Sequence, residues 1–328
     1  MPAPSGEQLA ARLRDGDLEA APAVLNLVET RTPDAQAETA RLLEALSPAG
    51  LGHEPPGHVI GVTGPPGAGK STLLSELVRS YRRRERSVAV LAVDPSSRRT
   101  GGSLLGDRAR IHVDPNDAAV FIRSTAAGDR LGGLAWATRA AAQALSAAFD
   151  VVIVETVGVG QSETDVADVA DTVMVIVQPG SGDALQFIKS GIMEIPDVLV
   201  ITKADLGRIA DRAKADVRSA LRSIGDRTTK VVAVSSLAPA TGFDQLIEVL
   251  DGHRERIDVA ATRREARRRT AIDDFRAEHG ERGLRAIGGR QAALRALAET
   301  RDDLAVPNLV QQLERAAGLD RDPHEVPR

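Results

Sequence analysis

The stretch Gly64-Pro65-Pro66-Gly67-Ala68-Gly69-Lys70-Ser71-Thr72 constrains this chain more than any other. It fits G-x-x-x-x-G-K-[ST], a phosphate-binding loop. Its flanks suit that role. His58-Val59-Ile60-Gly61-Val62-Thr63 reads as a buried strand, and Leu73, Leu74, Leu77, Val78 and Tyr81 follow at helical spacing. Glycines let the backbone curl so that several N–H groups face one anion, and the helix N-terminus adds the positive end of its dipole. Lys70 is placed to reach the β- and γ-phosphates, and the Ser71 hydroxyl to hold Mg²⁺.

Around this loop, short continuous aliphatic runs alternate with helical patterns. Val88–Val93, Val120–Ile122, Val151–Val154, Val173–Val177, Val198–Ile201 and Val231–Val234 are the strand candidates. Leu134–Phe149, Leu185–Met193 and Ile209–Ile224 are helices between them. Continuous rather than alternating runs indicate strands covered on both faces. The expectation is an α/β fold, a doubly wound and mostly parallel sheet with helices around it, spanning residues 58–250. Only 2% of the 328 residues are aromatic, so its core must be aliphatic. Ligands in such sheets sit at the carboxyl ends of the strands.

The flanks read as helical. In residues 1–57, Leu9, Leu13, Leu18, Val24, Leu25 and Val28 form apolar stripes broken at Asp15-Gly16-Asp17 and Thr32-Pro33-Asp34; the expectation is a helical cap, followed by a linker from Ser47 to Gly57. Residues 251–328 form a charged helical extension. Its run Arg263-Arg264-Glu265-Ala266-Arg267-Arg268-Arg269 is expected to be a solvated helix face with internal ion pairs.

Several residues carry chemistry. Asp205, in Thr202-Lys203-Ala204-Asp205 after a strand, is close to N-K-x-D. Its carboxylate suits the N1–H and N2 amine of guanine, a donor pair that adenine lacks. The Lys203 stem can lie on the base. Thr202 stands where Asn is usual, which alters the amide bridge to the phosphate loop. Ser235-Ser236-Leu237 follows the next strand and can offer backbone amides to guanine O6. Glu155 ends a buried strand beside the loop, where Mg²⁺ or its water is held. Asp94 and Asp107 suit Mg²⁺ through water, or orientation of the attacking water. Gly158 can let backbone approach a γ-phosphate and move when it leaves, and Gln161 can position water.

A formal net charge of -4 gives no support for a nucleic-acid binder, and the absence of cysteine removes thiolate chemistry. No apolar run approaches a membrane span and no secretory signal is read, so a cytoplasmic location is expected.

In this order, G-P-P-G-A-G-K-S-T, V-D-P-S-S, T-G-G-S-L-L-G-D-R, E-T-V-G-V-G-Q-S-E, P-G-S-G-D-A-L-Q and T-K-A-D closely resemble the MeaB/ArgK family of methylmalonyl-CoA mutase-associated GTPases. The resemblance covers about Leu25 to Gly242. It implies a Mg²⁺-dependent GTPase, cycling between GTP and GDP, that gates adenosylcobalamin loading and protection of a B12-dependent acyl-CoA mutase, as a homodimer joined by C-terminal helices. It implies phosphate and Mg²⁺ roles for Lys70 and Ser71, metal and water roles for Asp94, Asp107 and Glu155, and guanine reading by Asp205. Pro179–Gln186 and Lys189, with Asp183 and Gln186 among them, resemble the family's extra switch loop facing the mutase. The C-terminal region lacks the aromatic dimerisation stretch that the family leads one to expect, the only Trp being Trp136. Three further readings stand beside this one: a nickel-type metallochaperone GTPase, an ATP-using kinase of transport proteins, and a nucleotide-binding scaffold without useful hydrolysis.

Overall fold

A computed structural model describes residues 4–94, 111–126, 136–156, 166–180 and 196–319. Seven strands form one sheet: β1 His58–Thr63, β2 Val88–Asp94, β3 Val120–Ala126, β4 Val151–Glu155, β5 Thr172–Val177, β6 Val198–Ile201 and β7 Lys230–Ala233. Their order is β3-β2-β4-β1-β5-β6-β7, and every pairing is parallel. The helices are α1 Gly6–Arg14, α2 Ala21–Glu29, α3 Pro33–Ala45, α4 Pro48–Leu51, α5 Lys70–Arg82, α6 Trp136–Leu145, α7 Arg208–Ser223, α8 Phe243–Arg256, α9 Val259–Ile287, α10 Arg290–Ala298 and α11 Val306–Ala316. The expected doubly wound α/β fold is present. The predicted helix Leu185–Met193 lies outside the described residues.

The strand side chains sort onto two faces with the period of two that a pleat imposes. Ile60, Val62, Val88, Val90, Ile153 and Ile176 pack with Leu73, Leu77 and Tyr81 of α5 and Leu246 and Leu250 of α8. Val59, Leu91, Val152, Val154, Val175 and Leu199 face the other way, toward Ala141 and Leu145 of α6. Leu9, Leu13, Val24, Leu25, Val28, Leu42 and Leu46 belong to that same contiguous core. The amino-terminal helices therefore supply part of the covering of one sheet face. Their boundaries follow from local chemistry. Ser5 and Gln8 form a reciprocal capping box on α1, and Thr32 caps α3 just before Pro33. The stretch read as a linker contains the short helix α4, which ends at Gly52 in the left-handed conformation.

The arginine-rich stretch departs from expectation in part. Arg264 and Arg268 pair with Asp302, and Arg269 lies 3.8 Å from Glu265 one turn away on its own helix, as internal ion pairs would; Arg263, Arg267 and Arg269 also reach across to the amino end of the sheet. Asp171, just before β5, is fully buried, and Arg263 meets it bidentately, Nε donating to Oδ1 at 2.7 Å and Nη2 to Oδ2 at 2.6 Å. Arg254 Nη1 and the Val59 N–H donate to the same Oδ2 at 3.1 and 2.9 Å. Arg263 also donates to the carbonyls of Pro55 and Gly57, and Arg267 pairs bidentately with Glu54. Arg269 bonds Asp168. Beyond this contact, α9 is broken at Gly280 (φ 66°, ψ −174°), and Ile272, Phe275, Leu297, Leu309 and Leu313 close a small core of their own.

Burial alone would raise the Asp171 pKa, but the hydrogen bond and charge of Arg263, the Val59 N–H and Arg254 outweigh it and hold the carboxyl below its ordinary range. A carboxylate with a depressed folded pKa contributes stability that is full above about pH 4 and is lost as pH falls through the folded value. Asp171→Ala leaves two arginines without their shared buried partner, a loss of about 3–5 kcal/mol near neutrality. Urea denaturation of both proteins at pH 7 and pH 3 checks this: the gap is widest at pH 7 and narrows in acid.

Candidate nucleotide-binding site

The sheet order places the candidate residues together. From β1 the chain first moves to β2 and β3, returns through β4, and then continues on the opposite side through β5, β6 and β7. A crevice opens at the carboxyl ends of the strands at such a reversal. The phosphate loop leaves β1 there. Gly64 approaches β5 so closely that a Cβ would lie 2.7 Å from the Ile176 carbonyl oxygen. Gly69 sits at φ 87°, a left-handed conformation from which α5 starts at Lys70. Lys70 Nζ donates to the carbonyls of Gly64 (2.7 Å) and Pro65 (3.2 Å), lying across the loop it closes. Ser71 and Thr72 occupy the first turn of α5, whose N-terminus supplies free amide donors and a positive dipole end.

Glu155 closes β4 and is buried, in register with Val62 of β1 and Ala92 of β2. Asp94 closes β2, paired in register with Ala126. The hydroxyls of Thr63 and Thr156, at the ends of adjacent β1 and β4, are buried and have no hydrogen-bond partner among the described residues. Buried hydroxyls are ordinarily satisfied. Thr63, Thr156, Ser71 and Glu155 all offer oxygen, the donor type that suits Mg²⁺ and its waters. Asp107, Gly158, Gln161, Asp183, Gln186 and Lys189 lie outside the described residues.

The candidate base-reading end is built from β6 and β7. Asp205 is exposed, in a short 3₁₀ turn over Ala204–Leu206, and its Oδ1 accepts from the Ser235 hydroxyl at 2.7 Å. Ser235 is held in turn by paired backbone bonds with Thr241, and its Oγ accepts from the Leu237 N–H at 3.3 Å. The sequence reading assigned backbone amides to the Ser235-Ser236-Leu237 loop; the hydroxyl of Ser235, aiming Asp205, is an additional role. Ser236 is half-buried beside it.

Position 202 resolves differently from the usual amide. The buried Thr202 hydroxyl donates to the Ala68 carbonyl in the phosphate loop at 2.9 Å, so the bridge persists through a hydroxyl. The residue that sequence reasoning missed is Gln178, directly after β5. With its amide nitrogen toward the Gly67 carbonyl it donates at 2.9 Å, and its oxygen accepts from Lys203 Nζ at 3.1 Å. A lone Gln at a strand end carries no motif, and only the strand order brings it to the loop.

Thr202→Val keeps the shape and leaves the Ala68 carbonyl without its donor. Guanine-nucleotide affinity should fall roughly tenfold, and Thr202→Ser should recover most of it. Titration with a fluorescent GDP analogue measures both.

Residues 21–282 match the family model described as Methylmalonyl Co-A mutase-associated GTPase MeaB. The chain is 40% identical over 277 residues to a probable GTPase of Mycobacterium tuberculosis, covering 81% of this chain and 80% of that protein. It is 46% identical over 195 residues to the GTPase ArgK of Escherichia coli, covering 59% of this chain and 58% of that protein. The crystal structure of an LAO/AO transport system kinase is similar over 94% of this chain and 96% of its own, with a TM-score of 0.61 and 28% identity. The phosphate loop, the sheet order and these likenesses agree: the chain belongs to the MeaB family of methylmalonyl-CoA mutase-associated GTPases.

Proposed function

We propose that this GTPase is a chaperone that gates adenosylcobalamin loading and protection of a B12-dependent acyl-CoA mutase such as methylmalonyl-CoA mutase. The observation that carries the reading is the match of residues 21–282 to a family described by its association with that mutase. The site supports the nucleotide half of it. Lys70 and the start of α5 would neutralise the β- and γ-phosphates, and Asp205, aimed by Ser235, would select guanine. Ser71, with Glu155 and Asp94 from adjacent strand ends, would hold Mg²⁺, directly or through water. The chemistry that Mg²⁺ would supply there is charge neutralisation at the phosphates. The protein's share of catalysis is positioning and electrostatic stabilisation of in-line water attack. A homodimer, a cytoplasmic location and mutase contact through the segment around Asp183, Gln186 and Lys189 belong to the same proposal. No helix among the described residues is long and apolar enough to cross a membrane.

GTP and ATP hydrolysis, with and without a B12-dependent acyl-CoA mutase from the same organism, tests the reading. Turnover selective for GTP and raised by the mutase is expected. Lys70→Ala should lower it by about 10²–10³-fold through lost transition-state charge stabilisation. Equal use of ATP would favour the kinase reading, whose name is borne by the structurally similar protein. GTP turnover indifferent to the mutase would remove the client.

A further inference from the structure

Three side chains hold the carbonyls of the phosphate loop, and one of them reaches further. Lys70 takes Gly64 and Pro65, Thr202 takes Ala68, and the Gln178 amide takes Gly67. Thr202 adjoins the base-reading turn along the chain, and Gln178 reaches it from a different strand end, through Lys203 Nζ. The orientation of its amide is fixed by the chemistry of its neighbours, since a carbonyl only accepts and an ammonium only donates. One end of the group must therefore be a donor and the other an acceptor. Among side chains of this length only Gln meets both demands; Glu lacks the donor, Lys the acceptor and Met both.

The backbone makes this tie consequential. Lys203 is not glycine, yet it sits at φ 53° and ψ 44°, a left-handed conformation that side-chain residues rarely adopt. Such a conformation needs support from its surroundings. The Ala204 N–H donates to the Val234 carbonyl on one side, and the Gln178–Lys203 contact lies on the other. In the loop, a trans peptide points its N–H opposite its C=O. Holding the Gly67 and Ala68 carbonyls therefore also sets the directions of the Ala68 and Gly69 N–H groups.

We propose that Gln178 is the positioning residue that joins the phosphate half of the nucleotide site to its guanine half, supplying from the end of β5 the amide that position 202 does not carry. The inference rests on the reading of Lys203 and Asp205 as the guanine-binding pair. A nucleotide bound to a site so tied meets both halves already in register. Loss of the tie leaves the Thr202–Ala68 bridge to hold the halves, and part of the loop-ordering cost then falls on binding.

The experiment is GDP and ADP titration by calorimetry on the full chain, for the parent protein and for Gln178→Met, Gln178→Glu, Lys203→Met and the Gln178→Met/Lys203→Met pair. Gln178→Met is close in shape and should unfold at a similar temperature without nucleotide. It should bind GDP roughly tenfold more weakly. The double variant should be little weaker than Lys203→Met alone, because the two side chains act through one contact. Gln178→Glu keeps an acceptor for Lys203 but opposes the Gly67 carbonyl, and should not recover the parent affinity. Unchanged GDP affinity in Gln178→Met, strictly additive losses, or full recovery in Gln178→Glu would each overturn the tie. If the parent protein bound ADP as tightly as GDP, the guanine reading itself would fall, and this inference with it. Guanine preference with an indifferent Gln178→Met would remove the inference alone.

Discussion

One buried carboxylate fixes how the parts of this protein meet. Asp171 sits where the chain turns into β5, and it receives the Val59 N–H from β1, Arg254 from α8 and Arg263 from α9. A buried carboxylate is tolerable only when its lone pairs are filled, and here they are filled from three different elements. Arg263 then satisfies the carbonyls of Pro55 and Gly57, which precede β1. The connection into the sheet, the first residues of two central strands and the start of the long carboxyl-terminal helix are thereby set with respect to one another. Close by, His58, Thr172, His253 and Asp197 form a continuous polar chain of contacts, 2.8, 2.8 and 3.1 Å, that joins β1, β5 and α8 to the segment entering β6.

The opposite end of the sheet holds the phosphate loop by another means. There the loop's carbonyls are taken up by side chains from α5, from Thr202 after β6 and from Gln178 after β5. The loop is thus shaped from outside as well as by its glycines. The candidate guanine-reading carboxylate depends on the same neighbouring strands, since Asp205 accepts a hydrogen bond from a serine that follows β7. In this member of a GTPase family, the candidate phosphate and base residues follow four adjacent strands, β1, β5, β6 and β7.

Much of this was legible in the sequence. Strands covered on both faces must be aliphatic throughout, so β1, β2, β4, β5 and β6 stood out as unbroken runs. β3 extends to Ala126, beyond the predicted Ile122, because it is an edge strand where polar residues find partners: Arg123 bonds Glu29, and Thr125 bonds Thr138. The phosphate loop was readable because its spacing is dictated by the ligand it holds. The arginine contacts were not. Arg263 and Asp171 are 92 residues apart, and half of the guanidinium bonds go to backbone carbonyls, which leave no trace in composition. Gln178 was hidden for a related reason, since one of its two partners is also a carbonyl.

The strand register carries a mechanical consequence. From Val59, near the start of β1 and beside the arginine-held carboxylate, β1 leads to the phosphate loop at Gly64; from Asp171, just before it, β5 leads to Gln178. Each covers the distance in five to seven residues, roughly 20 Å at about 3.3 Å per residue. Parallel, mutually bonded and packed on both sides, they behave as a pair of short struts sharing one footing and two separate working tips. The helices of the carboxyl-terminal region press on the footing, and the nucleotide's phosphates and base meet the tips. Their pairing from Ile60–Thr172 to Thr63–Val175 carries the offset set at the footing through to the two tips.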